Sequence, residues 1–242
     1  MSKLEIAPVK KLLAVFAHPD DESFICGGTL AKYASEGVEI TLVSATRGEM
    51  GRRMGNPPYL NRESMAAARE LELKQACESL GIQHLHFFDI RDKTVEFIEE
   101  DILISRIEEF IRDLNPEVVL TFHEKLGGHP DHCAIGKATT AAFRRVAGND
   151  KALYFITFGE EMKRPERFGY SRSDVFKIDV RAHLEAKLAS FRAHRCQTEI
   201  DEWVWLPDHE ALQRFGGHEY FLRGNTGAIA RDLHDLFLSA PG

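Results

Sequence analysis

Short runs of Val, Ile, Leu and Phe alternate with longer amphipathic stretches along most of the chain. Residues 11–17 (KLLAVFA) predict a buried strand, and residues 28–36 a helix closed by Gly37 in the C′ position. Residues 38–45 (VEITLVSA) predict a second strand. A long helix follows, with Leu73, Ala76, Cys77 and Leu80 at i, i+3, i+4 and i+7, and Gly81 ends it. Residues 84–89 form the third predicted strand. The next helix carries Leu103, Ile107, Phe110, Ile111 and Leu114 on one stripe and stops at Asn115-Pro116.

The alternation continues with a strand at 117–122, a helix from about His132 to Val146, strands at 153–158 and 174–180, and a helix on Leu184, Leu188 and Phe191. Residues 201–225 carry a mixed pattern that predicts irregular chain with one strand near Tyr220. Strands alternating with helices imply right-handed crossovers and an α/β fold, a mostly parallel sheet with helices on both faces. The expected organisation is a single domain over 1–242, with a core at about 11–200 and a C-terminal extension at 201–242.

In such a sheet, ligands bind at the carboxyl ends of the strands, near the point where the strand order reverses. The segments after the first four strands read AHPDDES (17–23), TRGEMGRR (46–53), DIRDK (89–93) and HEKLGGHPDH (123–132). The dense polar clusters therefore fall on one edge of the sheet.

Composition narrows the candidates. The 242 residues are 43% hydrophobic and 29% charged, ordinary for a globular protein, and 16 Phe give ample surface to bury. A net charge of −7 argues against a non-specific nucleic-acid binder. No apolar run approaches the roughly 18 residues of a spanning helix, which argues against a membrane protein. Four widely spaced cysteines without a C-x-x-C pair suggest reduced thiols and a cytoplasmic protein. No G-x-G-x-x-G stands at the first turn, as a nucleotide-binding protein on a similar sheet would require, and no G-x-S-x-G marks a serine esterase.

One H-P-D sequence is ordinary turn and helix-cap chemistry. Two of them, His18-Pro19-Asp20-Asp21 and His129-Pro130-Asp131-His132, at equivalent strand ends point to a shared metal ion. His18, Asp21 and His132 then serve as three protein ligands with an open position, the pattern of catalytic zinc, although His and carboxylate suit iron(II) as well. Asp20 is placed to take a proton from the bound water. His129, as an imidazolium, would stabilise an oxyanion and protonate a leaving amine, and Asp131 would orient a histidine from behind.

AHPDDE after the first strand and HPDH after the fourth resemble the PIG-L/LmbE-like family of zinc-dependent N-acetylglucosaminyl deacetylases, over roughly residues 11 to 200. The resemblance implies a Rossmann-like fold, removal of an N-acetyl group from a glucosamine derivative, and the same roles for His18, Asp21, His132, Asp20 and His129. It implies a homo-oligomer too.

The loop from 46 to 62 holds Arg47, Arg52, Arg53 and Arg62 against one acid, Glu49, and such guanidinium forks suit an anionic substrate group. Arg53 is the expected contact. TRGEMGRRMGNPPYLNRE, RDKTVEF and LASFRAHRCQTE are similar to the bacillithiol branch, which deacetylates N-acetylglucosaminyl malate. That likeness implies sugar-conjugate contacts at Arg69 and Asp92.

Overall fold

The computed structural model describes residues 9–157, 159–224 and 232–237. Their frame is a seven-stranded sheet of β1 (Lys11–Phe16), β2 (Glu39–Ser44), β3 (His84–Phe87), β4 (Val118–Thr121), β5 (Ala152–Ile156), β6 (Val175–Asp179) and β7 (His218–Arg223), in the order β3-β2-β1-β4-β5-β7-β6. The first five in that order are parallel, and β7 runs antiparallel to both β5 and β6. Central parallel strands are covered on both faces, which explains the unbroken apolar runs of β1 and β4. Leu13 lies opposite Thr41 on one side and Val119 on the other, and all three are buried.

The main helices are α1 (Asp21–Ser35), α2 (Arg62–Leu80), α3 (Glu100–Leu114) and α4 (Pro130–Val146), followed by the short α5 (Glu160–Lys163), then α6 (Leu184–Ala193) and the short α7 (Arg195–Thr198). Helices α1, α2 and α6 pack together, and α3 packs on α4. This division follows from right-handed crossovers that step one way from β1 to β3 and the other way from β4 to β5. Asn61 and Ser64 form a capping box at the start of α2, and Gly81 closes it in the left-handed conformation. Asn115, also left-handed, ends α3 before Pro116.

Helix α1 begins at Asp21, not at Gly28 as the apolar pattern suggested. Its first turn is Asp21-Glu22-Ser23, polar yet buried, so hydrophobic periodicity could not register it. The helix is kinked at Cys26 (φ −133°). Glu219 of β7 accepts from the Gly28 and Thr29 amides beyond the kink, at 3.0 and 2.6 Å, and Lys187 Nζ donates to Glu219 Oε1 at 2.5 Å. The stretch after residue 200 thus contributes a sheet strand and a cap for half of α1. Phe158, at the end of the fifth expected strand, lies outside the described residues, as do 1–8, 225–231 and 238–242.

The four cysteines are free, and three of them are buried. Among the described residues, no helix is long and apolar enough to cross a membrane. Strand order reverses between β1 and β4, so the turn after β1 and the loop after β4 lie side by side at one sheet edge.

Candidate active site

The two H-P-D sequences meet at that edge. His18 Nδ1 lies 3.1 Å from His132 Nε2, and the Asp21 carboxylate lies 3.3 Å from His132 Nε2 and 3.8 Å from His18 Nδ1. The 3.3 Å contact is made by Asp21 Oδ1 and the 3.8 Å one by Oδ2; donor atoms at about 2.0–2.1 Å from a tetrahedral zinc stand about 3.3 Å apart, close to the His18–His132 and Asp21–His132 separations. The opposite ring nitrogens fix the tautomers. His132 Nδ1 donates to the Gly127 carbonyl at 2.8 Å, and His18 Nε2 faces Asp92 Oδ1 at 3.2 Å and Asp131 Oδ2 at 3.3 Å. His18 Nδ1 and His132 Nε2 are thereby turned toward each other beside the Asp21 carboxylate, a place that suits a proton or a cation.

Donor atoms also come within 4.8 Å of one another in the sets His18, His129, His132 and His18, Asp92, Asp131. In the second set, His18 turns its protonated edge to the carboxylates, so Asp92 and Asp131 orient the ligand from behind. In the first, the His129 Nδ1 lone pair is already used by the Asp131 amide at 3.1 Å. The chemistry of the donors thus fits a metal ion on His18, Asp21 and His132.

Electrostatics agree. Burial opposes a charged His18, but Asp131, Asp92 and Asp21 outweigh it and push the imidazole up to about 10. Burial would raise Asp21, yet His132 and His18 hold it at about 2. The surroundings favour positive charge at this point. Asp131 is fully buried and saturated: its carboxylate also accepts from the Lys93 amide at 2.7 Å and the Val95 amide at 3.1 Å. The His132 ring stacks on Phe122, with centroids 3.8 Å apart, which fixes its plane.

Asp20 occupies the N-cap position of α1 but makes no side-chain cap bond, so its carboxylate is not turned back onto the helix amides. Its φ of 108° turns the side chain toward Arg69, whose Nη2 donates to Asp20 Oδ2 at 2.7 Å. Burial raises Asp20 to about 6, against the lowering pull of Arg69. Arg69 also donates to the carbonyls of Pro19 and Gly48. Gly48 has φ +64°, and a Cβ there would collide with that guanidinium, so glycine is required.

A cavity of about 410 Å³ exposes His18, Asp20, Asp21, His129 and His132 together, with Arg52, Arg69, Asp92 and Lys93 also lining it. The expected substrate contacts are distributed differently from the sequence reading. Arg69 is 3% exposed and directs its Nη hydrogen bonds to protein atoms around Asp20. Asp92 accepts from the Met50 amide at 2.8 Å and backs His18. Arg53 pairs with Asp201 at 2.5 Å and lines an adjoining cavity that also reaches Asp20. Sequence reasoning placed Arg52 only within the anion-binding Arg loop and gave no role to Lys93, Glu22 or His194. The first two were visible as charges and Glu22 as part of the cluster, whereas His194 is 172 residues from Glu22, which it contacts.

A His/Asp/His donor set beside the Asp20 carboxylate at a parallel-sheet edge is an arrangement that suits metal-assisted hydrolysis. The PIG-L family model, described as GlcNAc-PI de-N-acetylase, matches residues 13–143. A relative from Bacillus cereus, named probable N-acetyl-alpha-D-glucosaminyl L-malate deacetylase 2, is 37% identical over 193 residues, 78% of this chain and 84% of its own. A 1D-myo-inositol 2-acetamido-2-deoxy-alpha-D-glucopyranoside deacetylase from Acidothermus cellulolyticus is 31% identical over 264 residues, 90% of each chain. The solved N,N'-diacetylchitobiose deacetylase of Pyrococcus horikoshii superposes with a TM-score of 0.66 at 22% identity, covering 88% of this chain and 83% of that one, and shows the fold. The chain belongs to the PIG-L family and is an N-deacetylase.

Proposed function

We propose that this protein hydrolyses the acetamide of N-acetylglucosaminyl malate, with zinc on His18, Asp21 and His132. Iron(II) suits the same ligands and is the alternative ion. The observation that carries the substrate is the cavity's cation pair. Arg52 and Lys93 line the same space as the donor set, and neither side chain makes an ion pair among the described residues. Two cations without carboxylate partners at an otherwise acidic site agree with a substrate that brings carboxylates of its own, as malate does. The malate deacetylase names of the Bacillus relatives support the same assignment. A cytoplasmic location goes with it, supported by the free cysteines.

A divalent ion here would lower the pKa of a bound water toward about 7 and polarise the acetyl carbonyl. Asp20 lines the cavity and serves as the base that takes the proton of the attacking water. His129 Nδ1 accepts the Asp131 amide, so a neutral His129 keeps its proton on Nε2 and donates it as a hydrogen bond to the developing oxyanion. Burial, His18 and His132 all lower the His129 pKa. This reading uses a neutral His129 where the sequence pointed to an imidazolium, and Asp20 returns the proton to the departing amine.

The test is acetate release by zinc-loaded protein from N-acetylglucosaminyl malate, its inositol counterpart and N-acetylglucosamine. A strong preference for malate is expected. Arg52→Ala should raise KM for the malate conjugate about tenfold or more, the worth of a charged hydrogen bond, and leave N-acetylglucosamine unchanged. Equal turnover of all three substrates, or equal effects of Arg52→Ala on them, would overturn the assignment.

A further inference from the structure

Asp20 is a non-glycine residue at φ 108°, a conformation that persists only where the surroundings over-determine it. An N-cap aspartate ordinarily turns its carboxylate back onto the helix amides, which would withdraw this one from the cavity. Here another carboxylate takes over on the backbone side. Glu22 Oε2 accepts the Asp20 amide at 3.0 Å, and the Asp20 carbonyl accepts the Phe24 amide at 2.9 Å. Arg69 holds the side chain from the opposite direction.

Glu22 is 1% exposed, and a carboxylate is not stable so deep without a partner. His194, fully buried at the junction of α6 and α7, donates from Nε2 to Glu22 Oε1 at 2.5 Å, and Ser23 donates to the same oxygen. Among the described residues His194 Nδ1 has no partner, so the imidazole's resolved side-chain hydrogen bond is the one to Glu22. The carbonyl of His194 accepts from the amides of Gln197 and Thr198, which anchors its backbone in α7.

We infer that Glu22 and His194 are positioning residues for Asp20. His194 keeps Glu22 in place, Glu22 holds the Asp20 backbone at positive φ, and that backbone keeps the Asp20 side chain at the cavity wall beside Arg69. The inference rests on Asp20 as the base. It assigns to the α6–α7 junction a part in the reaction that neither residue performs by touching substrate.

The experiment compares His194→Ala, His194→Gln and Asp20→Asn, singly and with His194→Ala combined with Asp20→Asn, measuring kcat, KM and bound metal. A misplaced reacting group costs about 10²-fold, so His194→Ala should lower kcat by about that factor with KM and metal content unchanged. His194→Gln retains a donor to Glu22 and should recover most of the rate. Because the residues act through Asp20, the double variant should be no slower than Asp20→Asn alone. If alanine at this buried position prevents folding, His194→Leu fills most of the space and carries the same expectation.

An unchanged kcat in His194→Ala, or losses that multiply in the double variant, would overturn the positioning role while leaving Asp20 as the base. Loss of metal in step with kcat would overturn it in favour of a general structural role. Full turnover by Asp20→Asn would remove the base reading and the inference together.

Discussion

Arg69, in α2, donates to the carboxylate of Asp20 in the turn after β1 at 2.7 Å, and the same guanidinium holds the carbonyls of Pro19 and Gly48. In the proposed mechanism a residue so occupied acts through Asp20, and not on the substrate as the sequence likeness implied. Arg69 lowers the Asp20 pKa, so its removal should raise that pKa above about 6. Asp20 must be ionised to accept a proton. In Arg69→Met the acid limb of the pH–rate profile should therefore move to higher pH, with kcat reduced more than KM. An unmoved limb with a selective rise in KM for the malate conjugate would return Arg69 to substrate binding.

His129 supplies a hydrogen bond to the oxyanion in this account. Removing one such donor costs about 10²–10³ in kcat, and His129→Ala should lose that much at nearly constant KM. The alanine protein should still bind metal, because His129 is not among the three proposed ligands. Metal loss in this variant would instead favour the set His18, His129 and His132.

The buried pair of His194 and Glu22 has a consequence for stability. Burial opposes the imidazolium, but Glu22 and then Asp20 outweigh it and raise the pKa above the ordinary value. A raised histidine contributes stability that is fully present below about pH 6.5 and is lost as pH rises through the folded-state value. Urea midpoints should therefore fall as pH rises above about 6.5, and His194→Gln should flatten that dependence. A steeper dependence in the variant would contradict the charged pair.

The sequence disclosed what is local. The apolar run of β1 and the proposed ligands His18 and Asp21, three residues apart, are legible without coordinates, and so is the equivalent cluster at the start of α4. The start of α1 was not, because its first turn is both polar and buried. The place of β7 between β5 and β6 depends on strand order, which hydropathy does not encode. The Arg loop was legible as charge, but Arg52 and Arg53 are neighbours that line different cavities, and only folding separates them. The contact between Glu22 and His194 joins residues 172 positions apart, beyond any spacing rule.

The central claim is that one metal ion on His18, Asp21 and His132 supports deacetylation. The most direct measurement strips the protein with a chelator, titrates zinc back, and follows acetate release from N-acetylglucosaminyl malate in the wild type and in His132→Ala. The account predicts no turnover in the stripped protein, a rise that saturates at one equivalent, and neither tight zinc binding nor turnover in the variant. Turnover that survives chelation, or a His132→Ala protein that binds zinc and deacetylates as well as the wild type, would contradict it.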